Sequence, residues 1–403
     1  MKKSILVAVI FAIFGSAFAQ DTETKEAEKE GYKFTVVKQL DATSVKNQNR
    51  AGTCWSYSGL SFLESEIIRM GKGDKDIDLS EMFIVRHTYK EKAEKYVRMH
   101  GILNFGQGGA FHDVTEMIRE YGIMPQEAYM GLNYGTEKDV HGELDAILTA
   151  YVKAVVENKN HEVTPVWLKA YESVLDTYLG EVPEKFTYKG KEYSPKSYAE
   201  SLGLDADNYI EIGSYTHHPF YEKFILEVQD NWMWDAIYNV PIDEMMQIMD
   251  NALENGYTIA WGADVSEKGF SWNNGVAVVP EESKENLSDN EQSKWAELTD
   301  RQRAKLFYSF DAPAKEKVIT QEMRQKGFDN YKTTDDHGMH ITGIAKDQNG
   351  TKYYIVKNSW SAKGNDYAGY FYASEAFVKL KTIDFMIHKD ALSKGMKKKL
   401  EIK

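Results

Sequence analysis

Apolar residues recur along this chain with two different periods, and the period changes part-way. Before residue 130 it is mostly helical. Leu60, Leu63 and Ile67 share one helical face after a glycine-bearing turn, and Gly71 and Gly73 stop the pattern, so a helix is predicted to begin at or near Cys54. Asp78-Leu79-Ser80-Glu81 ahead of Met82-Phe83-Ile84-Val85 predicts a second, capped helix. Gly106-Gln107-Gly108-Gly109 precedes a third, through Val114, Met117, Ile118 and Tyr121 to Gly122, and residues 32–40 read as an extended strand. Between 130 and 255 the chain is rich in Glu, Lys and Tyr; helices are predicted over 144–156, 167–179 and 242–255, with a hairpin over 186–193 about Lys189-Gly190. From 257 the pattern is that of strands: 257–265, 340–345, an Asn349-Gly350 turn, 353–356, 369–372 and 382–387. The charged stretch 281–305 reads as a solvated loop and helix face.

The start of the chain has a different character. A basic head at Lys2 and Lys3, an apolar run over 5–14 and the small-residue end Ala17-Phe18-Ala19 read as a cleavable secretory signal, too short to span a bilayer stably. Residues 21–30 are charged without an apolar period and are expected to form a mobile leader. At 403 residues the chain has room for two or three lobes or one enlarged domain. An exported protein with one cysteine has no internal disulfide, so its 42% hydrophobic composition must supply the core. A net charge of −13, with no Lys/Arg run before the last residues, argues against nucleic acid as a partner.

That one cysteine changes the picture. Unpaired N–H groups and the positive end of the dipole at a helix N-terminus favour a thiolate, which would make Cys54 a nucleophile. Gln48 can return across the turn to put its amide beside the sulfur, where a carbonyl under attack develops negative charge. A lone cysteine is also often only a small buried hydrophobe, and consecutive glycines such as Gly108 and Gly109 allow close approach by a ligand or simply make a turn. A second constellation bears on the choice. His337 stands before the strand 340–345 and Asn358 after the next one, so the two lie at adjacent ends of neighbouring strands. A cysteine nucleophile needs a base, and the base needs a group that fixes its tautomer; Trp360 can shield that hydrogen bond. Each is individually commoner as a turn residue. The His217-His218 pair is not read as a metal site: adjacent histidines face differently on a helix or strand, and no HExxH spacing is present.

In that order, Gln48…Cys54-Trp55, Leu79-Ser80-Glu81, Gly108-Gly109, His337-Gly-Met and Asn358-Ser-Trp360 resemble the papain-like cysteine peptidases. The long middle part, with Phe186-Thr-Tyr, Tyr193-Ser-Pro195 and Trp261-Gly-Ala-Asp264, resembles the bleomycin hydrolase and aminopeptidase C branch. The resemblance implies an α+β, two-lobe fold: a helical lobe over 32–129 bearing Cys54, an inserted helical elaboration over 130–255, and an antiparallel β-barrel-like lobe over 256–403 bearing His337 and Asn358. It makes Cys54 the nucleophile, His337 the general acid/base, Asn358 its orienting residue, and Gln48 with the Cys54 N–H the oxyanion donors. Gly108 and Gly109 would hold the substrate backbone, with Trp55 and Trp360 in support. Peptides are the implied substrates, no metal or organic cofactor is required, and a homo-oligomer, a hexameric ring, is implied. With its signal, the protein is expected to be periplasmic or secreted, and its activity to depend on a reductant.

Two departures from the family pattern stand out. Ser361 replaces the usual glycine after Asn-Ser-Trp. In the family the chain end folds into the cleft so that its carboxylate captures the substrate amine, whereas here the ending 394–403 is short and basic, leaving the Lys403 carboxylate or Glu401 to serve. Aminopeptidase action is the expectation; endopeptidase action, or a non-hydrolytic peptide-binding or acyl-transfer protein on the same fold, are the alternatives.

Overall fold

The computed structural model describes residues 31–283, 292 and 297–403; the signal, nearly all of the leader and much of the charged stretch 281–305 lie outside them. In chain order, strand β1 (Thr35–Gln39) leads to helices α1 (Cys54–Arg69), α2 (Glu81–Arg98) and α3 (Phe111–Tyr121). Helices α4 (Gly142–Val156) and α5 (Trp167–Leu179), the hairpin β2 (Phe186–Tyr188) and β3 (Lys191–Tyr193), and helix α6 (Pro195–Leu202) complete a helical lobe. Strands β4 (Tyr209–Gly213), β5 (Lys223–Ile225), β6 (Ala236–Asn239), β7 (Ile259–Ala263), β8 (Phe270–Ser271), β9 (Val276–Ala277), β10 (His337–Lys346), β11 (Lys352–Lys357), β12 (Tyr370–Ser374) and β13 (Thr382–His388) form the other, with helix α7 (Ile242–Glu254) before β7.

One sheet takes ten of these strands in the order β5-β6-β4-β13-β7-β10-β11-β12-β9-β8, and β1 pairs with β10. It is antiparallel except where β4 meets β6 and β9 meets β12. The 130–255 region is therefore only partly helical: its last third adds three strands to the sheet edge. Short polar strands such as β5, with one buried residue in three, give little alternation to read from sequence.

The second helix starts as predicted, Ser80 Oγ accepting from Phe83 N at 3.0 Å. The first departs from its one-faced period. All thirteen residues from Trp55 to Ile67 are buried, because α1 runs between the helical lobe and strands β7 and β10. Its polar positions are buried with partners: Ser56 Oγ donates to Glu81 O (3.0 Å), Ser61 Oγ bonds His340 Nδ1 (2.9 Å), and Glu64 accepts from Leu79 N (2.9 Å) and Thr43 Oγ1 (2.5 Å). Satisfied polar groups are tolerated in a core, so a polar helix face need not face water. The helical lobe closes over Leu60, Phe62, Phe83, Ile84, Val114 and Tyr171. The sheet lobe closes over Met249, Trp261, Ile341, Tyr354, Phe371 and Phe385.

Candidate active site

Cys54 is the first residue of α1, partly exposed where the helix N-terminus meets the start of β10. Gly338 permits that approach: a Cβ there would lie 3.4 Å from the Cys54 carbonyl carbon and 2.7 Å from Ser58 Oγ. His337, the first residue of β10, is buried and borders the same cavity as Cys54. In the β10–β11 hairpin His340 pairs with Lys357, which carries the next residue, Asn358, toward His337.

Asn358 Oδ1 accepts from His337 Nε2 at 2.7 Å and from Ser359 N at 2.7 Å. The second bond fixes the amide orientation, since a backbone N–H needs an oxygen. His337 Nε2 therefore carries the proton and Nδ1 is the basic nitrogen. Trp360 stacks on the His337 ring with centroids 4.7 Å apart, and Trp272 meets Trp360 edge-on at 5.3 Å. Ser361 keeps the following turn at φ +73°, a left-handed backbone that glycine adopts more cheaply.

Gln48 is buried; its Oε1 accepts from Ser359 Oγ at 2.6 Å and its Nε2 donates to Ala51 O at 2.9 Å. One Nε2 hydrogen remains for another acceptor. Trp55 Nε1 donates to Gln107 O at 3.0 Å, and Gln107 Oε1 accepts from Gly52 N at 2.7 Å, tying the glycine loop to the turn before Cys54. Gly109 borders the cavity. Gly108 lies against Asp230 instead: a Cβ there would overlap the Asp230 carboxylate. The buried Lys92 holds this loop, donating Nζ to the carbonyls of Gly106 and Gly108.

The surroundings of Cys54 oppose the helix N-terminus. Enclosure pushes the Cys54 thiol up to about 12, opposed by the Gly338 and Trp55 backbones and reinforced by the Asp335 and Asp230 carboxylates. Burial pushes His337 down to about 4 against the Asn358 hydrogen bond. An ion pair arises by moving one proton from Sγ to Nδ1, which puts opposite charges side by side.

The acidic lining was not foreseen from sequence. Glu211, Asp230, Asp335, Asp336 and Asp384 border the Cys54 cavity, which measures about 30 Å³. Asp336 is engaged, accepting from Ser266 N (3.0 Å) and Thr334 Oγ1 (2.8 Å). Desolvation, then the carboxylates of Asp230, Asp336 and Glu211, push Asp335 upward, although its side chain is open to the cleft. One signal was available: Asp384 is a lone acid in the apolar strand 382–387. Lys92, in a lysine-rich helix face, carried none.

His217 and His218 do converge, since they lie in a turn rather than a helix or strand: both Nε2 atoms reach the Glu227 carboxylate, at 3.0 and 2.8 Å. The set does not fit a metal. Thr216 N fixes Gln325 Oε1 at 2.7 Å, so Gln325 Nε2 donates to His217 Nδ1 at 2.9 Å. His217 Nε2 then holds a proton where a metal would need a lone pair.

Fold and site together define a papain-like cysteine-type peptidase. The chain matches the Peptidase C1-like family over residues 6–280 and 307–403 and belongs to it. It is 23% identical over 391 residues to aminopeptidase C of Lactococcus lactis subsp. cremoris, covering 88% of this chain and 83% of that one. To aminopeptidase C of Streptococcus thermophilus it is 21% identical over 434 residues, covering 96% and 89%. The crystal structure of PepW from Lactobacillus rhamnosis HN001 is similar in fold, with a TM-score of 0.67 at 18% identity, over 91% of this chain and 84% of that one. Among the described residues no helix is long and apolar enough to cross a membrane.

Proposed function

We propose that this protein is an exported cysteine aminopeptidase in which Cys54, His337, Asn358 and Gln48 carry the chemistry. The observation that carries the reading is the shared cavity of Cys54 and His337 combined with the 2.7 Å bond from His337 Nε2 to Asn358 Oδ1. His337 Nδ1 takes the Sγ proton as sulfur attacks the peptide carbonyl carbon. The oxyanion is met by the free Gln48 Nε2 hydrogen and the Cys54 N–H at the start of α1. The imidazolium then protonates the leaving amine, releasing the C-terminal product. Water gives a proton to the same nitrogen and its oxygen attacks the thioester, and the thiol leaves with that proton. Cleavage of free-amine peptides, abolished in Cys54→Ala, tests this reading. N-terminal sequencing of the mature protein tests export: a start near Gln20 is expected.

Endopeptidase action is the second reading, and one observation favours it. Glu401, Ile402 and Lys403 line a groove with His112 and Glu211, and they do not border the Cys54 cavity. Residues 401–403 thus do not block the Cys54 cavity. Internal cuts in N-acetylated peptides would establish this alternative.

A further inference from the structure

An aminopeptidase must hold a positive charge close to its nucleophile. The substrate's α-nitrogen is two bonds from the carbonyl carbon under attack, so its anchor has to border the cavity at Cys54. Among the described residues, none beyond Asp384 does. The groove at the chain end is bordered by acids and cations alike, and Glu401, Ile402 and Lys403 there do not border the Cys54 cavity.

Within the cavity, two of the five acids differ from surface carboxylates. Glu211 and Asp384 are 7% and 9% exposed and come from the paired strands β4 and β13. Glu211 Oε2 bonds His112 Nδ1 at 3.1 Å, but its buried Oε1 has no partner in the protein. A buried carboxylate oxygen left unmatched is costly unless a ligand meets it. Asp384 reaches the cavity because position 262 is glycine: a Cβ there would lie 2.6 Å from Asp384 Oδ1. Burial, then the Glu211 and Asp335 carboxylates, hold Asp384 well above the usual range, a repulsion that a bound cation relieves. His112, raised by Glu211 and Asp113 against its burial, pairs with Glu211, and no Lys or Arg borders the cavity among the described residues.

A water-sized group needs about 10–15 Å³, so a cavity of about 30 Å³ has room for an ammonium. We infer that Glu211 and Asp384 bind the N-terminal ammonium of the peptide substrate, in place of a chain-terminal carboxylate. The inference rests on the aminopeptidase reading above and names the residues that would make it one.

The test uses the full chain with Cys54→Ala, titrated calorimetrically with a tripeptide and with its N-acetylated twin. The free tripeptide is expected to bind about tenfold or more tightly, the scale of one charge-assisted hydrogen bond. Adding Glu211→Gln or Asp384→Asn should erase most of that difference, while removal of residues 401–403 leaves it intact. In the active enzyme the same two single replacements should raise KM for the free tripeptide more than they lower kcat. Both replacements keep side-chain shape, and Gly262→Ala, which displaces Asp384 without removing a charge, should weaken free-amine binding too. Retention of the full preference in both acid variants, while the wild type still trims free N-termini, would overturn the anchor and leave the aminopeptidase reading standing. An enzyme without free-amine preference that cuts acetylated peptides internally would overturn both.

Discussion

His337 Nε2 donates to Asn358 Oδ1 at 2.7 Å, and Ser359 N donates to the same oxygen at the same distance. The ring is thereby held in one tautomer, with the proton on Nε2 and Nδ1 as the basic nitrogen. Asn358→Ala removes that control and leaves a buried N–H unpaired. We predict a fall in kcat/KM of about 100-fold, the lower end of what a positioned base contributes. A loss of about 1–3 kcal/mol in stability should accompany it, read by chemical unfolding.

Lys92 supports the glycine loop through the carbonyls of Gly106 and Gly108. Lys92→Met keeps the apolar stem and deletes both bonds. Loosening Gly109 by this route should cost about 10- to 100-fold in kcat/KM, as misplacement of a binding element does. Steady-state kinetics on one free-amine peptide would show it; an unchanged value would mean that the loop holds its shape without Lys92.

The His112–Glu211 pair makes stability depend on pH in a defined direction. Burial alone would lower the His112 pKa, but Glu211 and Asp113 raise it from 6.5 to about 10. A raised folded value means that the folded protein holds the proton more tightly. The contribution is complete below pH 6.5 and is lost as pH rises through about 10. The stability gap between wild type and His112→Gln, from denaturant melts across that window, should therefore narrow with rising pH; a constant gap would contradict the pairing.

Gly59 sits where α1 meets α3, and a Cβ there would lie 2.8 Å from Val114 Cγ2. Gly59→Ala favours the helix by propensity yet overpacks this contact. We predict a net destabilisation of about 1–3 kcal/mol, measured by thermal unfolding; stabilisation would show that the two helices can separate without cost.

Much of this arrangement was legible in the sequence. The α1 start at Cys54, the Ser80 cap and the β10–β11 hairpin follow from local signals: a turn before a helical period, a capping side chain, an Asn-Gly between apolar runs. The hairpin register then suffices to bring His337 near Asn358. What local signals do not carry is whatever depends on packing between distant segments. The full burial of α1 requires Thr43, Leu79 and His340 to meet its polar face. The acidic lining gathers residues 211, 230, 335, 336 and 384 from across the fold. The influences on the Cys54 thiol divide in the same way: the helix N-terminus is local, whereas the enclosure and the Asp230 and Asp335 carboxylates that raise its pKa are not.

The most direct measurement is cleavage of one peptide set, with free and acetylated N-termini, by the purified mature protein under reducing conditions, with Cys54→Ala as control and products read by mass spectrometry. Stepwise loss of N-terminal residues from free peptides only, absent in the control, is the predicted result. Cleavage that persists in Cys54→Ala would contradict the account at its centre.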